Sequence, residues 1–201
     1  MQLTIKKGAA LKQKTPCLIV GVFEGKLKEP LLQRLDKGVE GAFAQATRSK
    51  EFSARKGETL LLHTGKAVTA ERVLLLGLGK EKTFGLTGLR YAASSAAKLL
   101  AEKQLGSFLL TLPQFPIKKS SLAQRVQAIA EGVLLADYRY ERYLPADRPG
   151  KPALLDKVGF LIADKDSKSE AESALQDAEA IASGVCFARD LVNAPGNEKS
   201  P

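Results

Sequence analysis

Cys17, His63 and Cys186 are the side chains best suited to hold a metal or act as a nucleophile, and the chain has only two cysteines and one histidine. They lie too far apart for the CxxC or HExxH spacing from which zinc sites are assembled. His63 closes the run Thr59-Leu60-Leu61-Leu62-His63 and reads as the polar end of a strand rather than as a ligand or base. No Ser-His-Asp set presents itself. The other chemistry to weigh is phosphate binding, because Gly77-Leu78-Gly79-Lys80 follows a strand-like run and precedes a helix-like one. A dinucleotide fingerprint would need a third glycine where Lys82 stands, and a Walker loop would need Ser or Thr where Glu81 stands. Tight-turn glycines are the preferred reading, with a nucleotide site as the alternative. No catalytic, cofactor-binding or metal-ligating residue is assigned.

The elements that would have to position such residues follow from apolar spacing. Leu3 to Lys6 alternates like a strand, and Cys17-Leu18-Ile19-Val20-Gly21-Val22-Phe23 is continuously apolar, as a strand covered on both faces must be. Pro30 opens a helix with Leu31, Leu32 and Leu35 on one face and Gly38 near its stop, and Val39 to Ala46 is a short helix or a loop. Thr59 to His63 and Arg72 to Leu78 are joined by too short a link for a crossover helix, so they predict an antiparallel pair.

Thr87 is the expected cap of a helix whose face is Leu89, Ala92, Ala93, Ala96, Ala97 and Leu100, with Gly106 at its stop and its alanines lying close to a sheet. Ser107 to Leu112 is the next strand, ended by Pro113 and Pro116. Ser121 with Gln124 caps a further helix, and Val158 to Ala163 is the last strand. Strand, helix, strand, helix, strand from Val73 to Ala163 implies parallel pairing, so the sheet is mixed and the class α/β.

The chain closes on a long amphipathic helix, from Glu170 to about Val192. Ala171, Ala174, Leu175, Ala178, Ile181, Ala182, Val185, Ala188 and Val192 recur at helical spacing, and Ser169 with Glu172 is the expected capping box. The stripe through Ala171, Ala178, Ile181 and Val185 is expected to lie on the sheet. Fraying is expected from Arg189, with Asn193 to Pro201 mobile. Asn193, Pro195 and Gly196 stop the helix, and the ending reads as a junction to another domain. This divides the chain into an N-terminal α/β domain, 1–165, and a linker helix with the start of a junction, 166–201.

Several of these segments resemble one family. Asn193, Pro195, Asn197 and Glu198 in Arg189-Asp190-Leu191-Val192-Asn193-Ala194-Pro195-Gly196-Asn197-Glu198-Lys199-Ser200-Pro201 are similar to the passage by which leucyl aminopeptidases of the cytosolic metallo-aminopeptidase family enter their catalytic domain. Lys56-Gly57-Glu58 before one strand, Leu76-Gly77-Leu78-Gly79-Lys80 at the end of the next, and Glu131-Gly132 followed by Tyr138, Tyr140 and Tyr143 resemble that family's N-terminal domain in order and spacing. The resemblance implies a macro-domain-like three-layer α/β/α fold with a mixed, mostly parallel sheet. It also implies a parent metal-dependent exopeptidase, a homo-hexamer cleaving N-terminal residues from peptides. In that parent two divalent metals, zinc or manganese, activate a water in a catalytic domain absent here. Gln176-Asp177-Ala178-Glu179 repeats the Asp-Ala-Glu string of the family's metal signature but lacks its flanking residues, so it is read as a helix's polar face.

Composition narrows the remaining classes. No apolar run approaches the ~20 residues that cross a bilayer, and no signal-peptide core is present, so a cytoplasmic protein is expected. Two cysteines make a poor disulfide framework, and both are expected to be buried thiols. Lysine and arginine number 31 against 22 acids, a net +9. The basic residues fall in small groups, Lys6-Lys7, Arg55-Lys56, Lys80 and Lys82, Lys118-Lys119 and Arg139 to Arg148, with no recognition motif. DNA binding is therefore expected to be weak and non-specific. Two readings stand: the non-catalytic N-terminal domain of a leucyl aminopeptidase, monomeric on its own and partnered by its own catalytic domain, or a stand-alone basic module for nucleic acid or a nucleotide.

Overall fold

Two runs with no polar face, β2 (Leu18–Phe23) and β4 (Arg72–Gly79), pair in parallel inside the sheet, away from its edges, where both faces are covered. The computed structural model describes residues 1–117, 119–145 and 150–195. Around the central pair stand β1 (Gln2–Lys6), β3 (Thr59–His63), β5 (Ser107–Thr111) and β6 (Lys157–Leu161), in the order β1-β6-β5-β2-β4-β3. All neighbours run parallel except β3, which pairs antiparallel with β4 as Thr59↔Leu76 through His63↔Arg72.

Alternation along the central strands divides the core into two layers. Leu18, Val20, Val22, Val73 and Leu75 face α1 (Pro30–Gly38) and α2 (Ala42–Arg48). Ile19, Phe23, Leu74 and Leu76 face the other side, which is covered by α3 (Leu86–Glu102), α4 (Leu122–Asp137) and α5 (Lys168–Asn193). The result is a three-layer α/β/α domain with a mixed, mostly parallel sheet.

The α4 start matches the expected capping box: Gln124 N–H donates to Ser121 Oγ at 3.1 Å and Ser121 N–H donates to Gln124 Oε1 at 3.0 Å. The segment left open as helix or loop contains α2. Two other helix ends differ from expectation. The first bond of α3 joins Leu89 N–H to the Gly85 carbonyl, so Thr87 lies inside the first turn, and Gln104, at φ 59°, takes the left-handed position expected of Gly106. The cap of α5 is Ser167, whose Oγ accepts from Glu170 N–H at 3.3 Å, rather than Ser169. Ser167 and Ser169 each have a glutamate three residues on. The earlier register wins because the turn closed by Ala163 N–H on Asp166 Oδ2, at 3.0 Å, already holds the chain there.

The alanines of α3 serve helix contact as much as sheet contact. A Cβ on Gly132 of α4 would stand 2.5 Å from the Arg90 carbonyl oxygen and 3.1 Å from the Ala93 side chain, so the α3/α4 crossing is as close as backbones permit. Likewise α5 buries Ala171, Ala174, Leu175, Ala178 and Ala182 chiefly against α4 and the edge strand β1. Ile181, expected on the sheet, is exposed and Val185 only partly buried; the face α5 turns inward runs through Ala174, Ala178 and Ala182, which leaves Ile181 at its margin.

The two thiols part company. Cys17 is fully buried and its pKa is pushed up to about 12, first by burial, while Cys186, expected buried, is only half-buried on α5. A thiol reagent at about pH 8, below the usual thiol pKa of ~8.5, should therefore modify one cysteine per native chain, at Cys186, and two in denaturant. Modification of Cys17 in the native protein, read by peptide mass, would contradict the burial.

Candidate functional site

The C-terminal end of β4 opens into a cleft of about 220 Å³ lined by Lys56, Gly57, Gly77, Phe84, Gly88 and Tyr91 among others. This is where a phosphate loop would have to act, and its donors are already engaged. Gly77 N–H donates to the Glu58 carbonyl at 2.8 Å, and Gly79 N–H to the Ala54 carbonyl at 3.0 Å. Their own carbonyls accept from Gly57 and Glu24 N–H, both at 3.0 Å. A Cβ on Gly77 would lie 2.1 Å from the Arg55 carbonyl oxygen, so the glycine lets segment 54–58 press against the strand. Glu58 folds back inside that segment, its Oε2 accepting from Ser53 and Arg55 N–H at 2.8 and 3.0 Å. The Lys-Gly-Glu and Leu-Gly-Leu-Gly-Lys segments, distant in sequence, are thus two sides of one backbone clasp.

The other residues singled out by type are scattered. His63 is exposed at the end of β3, opposite Arg72. Asp177 and Glu179 are exposed on the outer side of α5. Among the described residues no group of three or more His, Cys, Asp or Glu side chains is placed to hold a metal ion. No helix among them is long and apolar enough to cross a membrane.

The buried carboxylate among the described residues is Glu131, the acid of the Glu-Gly pair. Its Oε2 accepts from Arg90 Nε at 2.6 Å and its Oε1 from Gln127 Nε2 at 2.9 Å, so both oxygens are satisfied at the α3/α4 crossing. Sequence reasoning did not reach this pair, because its members stand 41 residues apart with no local signal.

Two further groupings were also missed. Lys6, Lys14 and Lys157 line one groove with Thr4, Thr15 and Ser107 on the sheet face that α1 and α2 leave uncovered. Tyr138, just past α4, meets the last turns of α5: its hydroxyl donates to Asp190 Oδ1 at 2.8 Å and accepts from Asn193 Nδ2 at 3.2 Å, and Arg189 stands 5.3 Å over its ring. Partial burial and then Asp190 hold the Tyr138 phenol above its ordinary pKa. These contacts lie on the last turns of α5, which ends at Asn193, close to the expected end at about Val192. Residues 196–201, the end of the junction, lie outside the described residues, as do Lys118 and 146–149 of the basic groups. Within the last group Arg139 is committed to the fold, its guanidinium donating to the Pro152 and Ala153 carbonyls at 2.7 Å each.

Fold and site together define a mixed-sheet α/β/α domain in which the Gly77–Gly79, Glu58 and Glu131–Gly132 residues are engaged in packing and hydrogen bonds. Residues 19–145 match the N-terminal domain of the cytosol aminopeptidase family. A probable cytosol aminopeptidase of Syntrophotalea carbinolica is 41% identical over 201 residues, covering 100% of this chain and 40% of that protein. One from Alkalilimnicola ehrlichii is 36% identical over 202 residues, with the same coverage of 100% and 40%. Among solved structures, a mutant of tomato leucine aminopeptidase aligns at a TM-score of 0.82 with 25% identity, over 100% of this chain and 40% of that one. The bottromycin maturation enzyme BotP shares the fold at a TM-score of 0.66 and 24% identity, over 92% of this chain and 34% of its own. The chain belongs to the cytosol aminopeptidase family and carries its N-terminal domain, spanning about 40% of the length of the curated relatives it matches.

The glycine of the clasp and a glycine of α5 give opposite expectations. Gly77→Ala forces backbone against backbone and should cost about 1–3 kcal/mol or more. Gly184→Ala meets nothing within 4 Å in a helix interior and should stabilise by about 0.5–1 kcal/mol. Denaturant unfolding of both variants checks the pair. A neutral Gly77→Ala would mean that the clasp is not packed as described.

Proposed function

We propose that this chain serves as the non-catalytic N-terminal domain of a leucyl aminopeptidase, a cytoplasmic metal-dependent exopeptidase that removes N-terminal residues from peptides. The observation that carries the reading is the match of the whole chain, at 41% identity, to 40% of a probable cytosol aminopeptidase, together with the N-terminal-domain match over residues 19–145. In this reading residues 1–165 are the domain proper, and 166–201 lead through α5 to a catalytic domain that supplies the chemistry.

Two divalent metals, zinc or manganese, belong to that second domain. BotP, which shares this fold, has a solved complex with Mn. The donors of this chain do not fit a metal pair: among the described residues its carboxylates, thiols and imidazole form no cluster. Glu131, the buried acid, is already saturated by Arg90 and Gln127. No step of hydrolysis is therefore assigned to these residues. The parent enzyme is proposed to be a homo-hexamer held chiefly by its catalytic domains, and the 201-residue chain alone a monomer.

Leucine p-nitroanilide with added Zn2+ or Mn2+ tests the reading. The 201-residue chain should show no turnover, and the protein extended to the length of the relatives should release nitroaniline in a metal-dependent way. Turnover by the 201-residue chain that persists through further purification, or none by the extended protein with either metal, would overturn it.

A further inference from the structure

The strand β3 closes one side of the sheet, and its outer edge is unpaired. Gly77 N–H donates to the Glu58 carbonyl at 2.8 Å and Thr64 N–H to the Glu71 carbonyl at 3.2 Å, which fixes the alternation of the antiparallel pair between them. Leu60 and Leu62 turn their backbone groups to β4. Thr59, Leu61 and His63 turn theirs outward, and among the described residues those N–H and carbonyl groups have no partner. The strand carries no acid, lysine, proline or bulge, the devices that usually shield an edge. Thr59 and Leu61 also share a face of the sheet with their opposite residues Leu76 and Leu74, the face that α3 covers. On that face opens the cleft of about 220 Å³, walled by Leu76, Phe84, Tyr91 and Lys56. Tyr91 is 64% exposed there. Lys56 is exposed with no ion pair among the described residues, while the nearby acid Glu58 is folded onto Ser53 and Arg55 N–H.

We propose that the β3 edge and this cleft together bind an extended acidic peptide segment, which joins the sheet antiparallel to β3. In such a pairing the peptide residues that bond to Thr59, Leu61 and His63 are also those whose side chains turn to the α3 face, because directly opposed residues share a face. The residue abreast of Thr59 meets the mouth of the cleft, which has room for one large apolar side chain. The next residue toward the C-terminus of the peptide comes beside Lys56, where a carboxylate completes the charge. Main-chain bonds supply the affinity, and the cleft and the lysine select the sequence. The net charge of +9 favours an acidic partner, and a nucleic acid has no row of amide groups to offer the edge. A second copy paired about Leu61 would set the Lys56 and Lys66 ends against each other, like charge on like.

The probe is the synthetic peptide acetyl-Glu-Val-Thr-Val-Thr-Phe-Glu-amide, titrated into the 201-residue chain by calorimetry and followed by amide exchange in NMR. Its blocked amino terminus keeps it from being an exopeptidase substrate, so its binding is read apart from the proposed activity. At saturation the Thr59, Leu61 and His63 amides should exchange at least about ten-fold more slowly, while Leu60 and Leu62 are protected with and without peptide. N-methylation at the valines and phenylalanine, whose amides face β3, should weaken binding about ten-fold or more, and N-methylation at the threonines by less than about two-fold. Lys56→Glu, an exposed change outside the core, should weaken it about three-fold. No binding, or equal loss from both methylation patterns, overturns the proposal. So does equal binding of a probe with lysines in place of its glutamates, which removes the charge selection. Protection of Thr59, Leu61 and His63 that rises with the concentration of the chain alone assigns the edge to a second copy and overturns it as well.

Discussion

The helical layer depends on α4 being buried on two sides at once. Its Leu122, Val126, Ile129 and Val133 join the sheet-side core, while α3 and α5 close on its flanks. A helix in that position has room for a polar group only where partners meet it, and for a backbone crossing only where a side chain is missing. Glu131 and Gly132 meet those two conditions in adjacent residues. The glutamate takes Arg90 and Gln127 where α3 crosses, and the glycine lets the Arg90 carbonyl approach. Leaving that carboxylate unpartnered would cost more than the pair contributes, with the half-exposed Arg90 softening the penalty.

The same logic accounts for the motif glycines. A loop of sequence Gly-Leu-Gly-Lys at the end of a parallel strand invites a phosphate reading. The donors that would cradle a phosphate instead close the clasp between β4 and segment 54–58. Two of the stretches that carry the family resemblance, the clasp and the Glu-Gly pair, are thus steric and hydrogen-bonding conditions of the fold.

Much of this was legible in the sequence where one local rule governed. The continuous apolar run at Leu18–Phe23, the hairpin at Thr59–Gly79 and the Ser121 capping box follow from pattern and spacing alone. Expectation failed where two rules competed or where the deciding partner lay far away. Ser167 and Ser169 offered overlapping capping registers, settled by a turn upstream. Ile181 and Val185 obey helical spacing, yet spacing does not say which edge of the apolar stripe the neighbouring helix covers. Tyr138 meeting Asp190 and Asn193, and Arg90 meeting Glu131, are contacts across 41 to 55 residues that no window could show. The groove with Lys6, Lys14 and Lys157 was hidden the same way, since three strand-end segments contribute to it.

The central claim is that residues 1–165 and the packed first half of α5 form one cooperative unit built around α4, with the β4 clasp and the Glu131–Gly132 pair serving its packing. Scanning calorimetry of the 201-residue chain, with and without millimolar Mn2+, tests it most directly. The account predicts a single transition whose calorimetric and van't Hoff enthalpies agree and whose midpoint does not move with Mn2+, because a ligand raises the midpoint only by binding the native state. Two resolved transitions, or a midpoint that climbs with Mn2+ concentration, would contradict it.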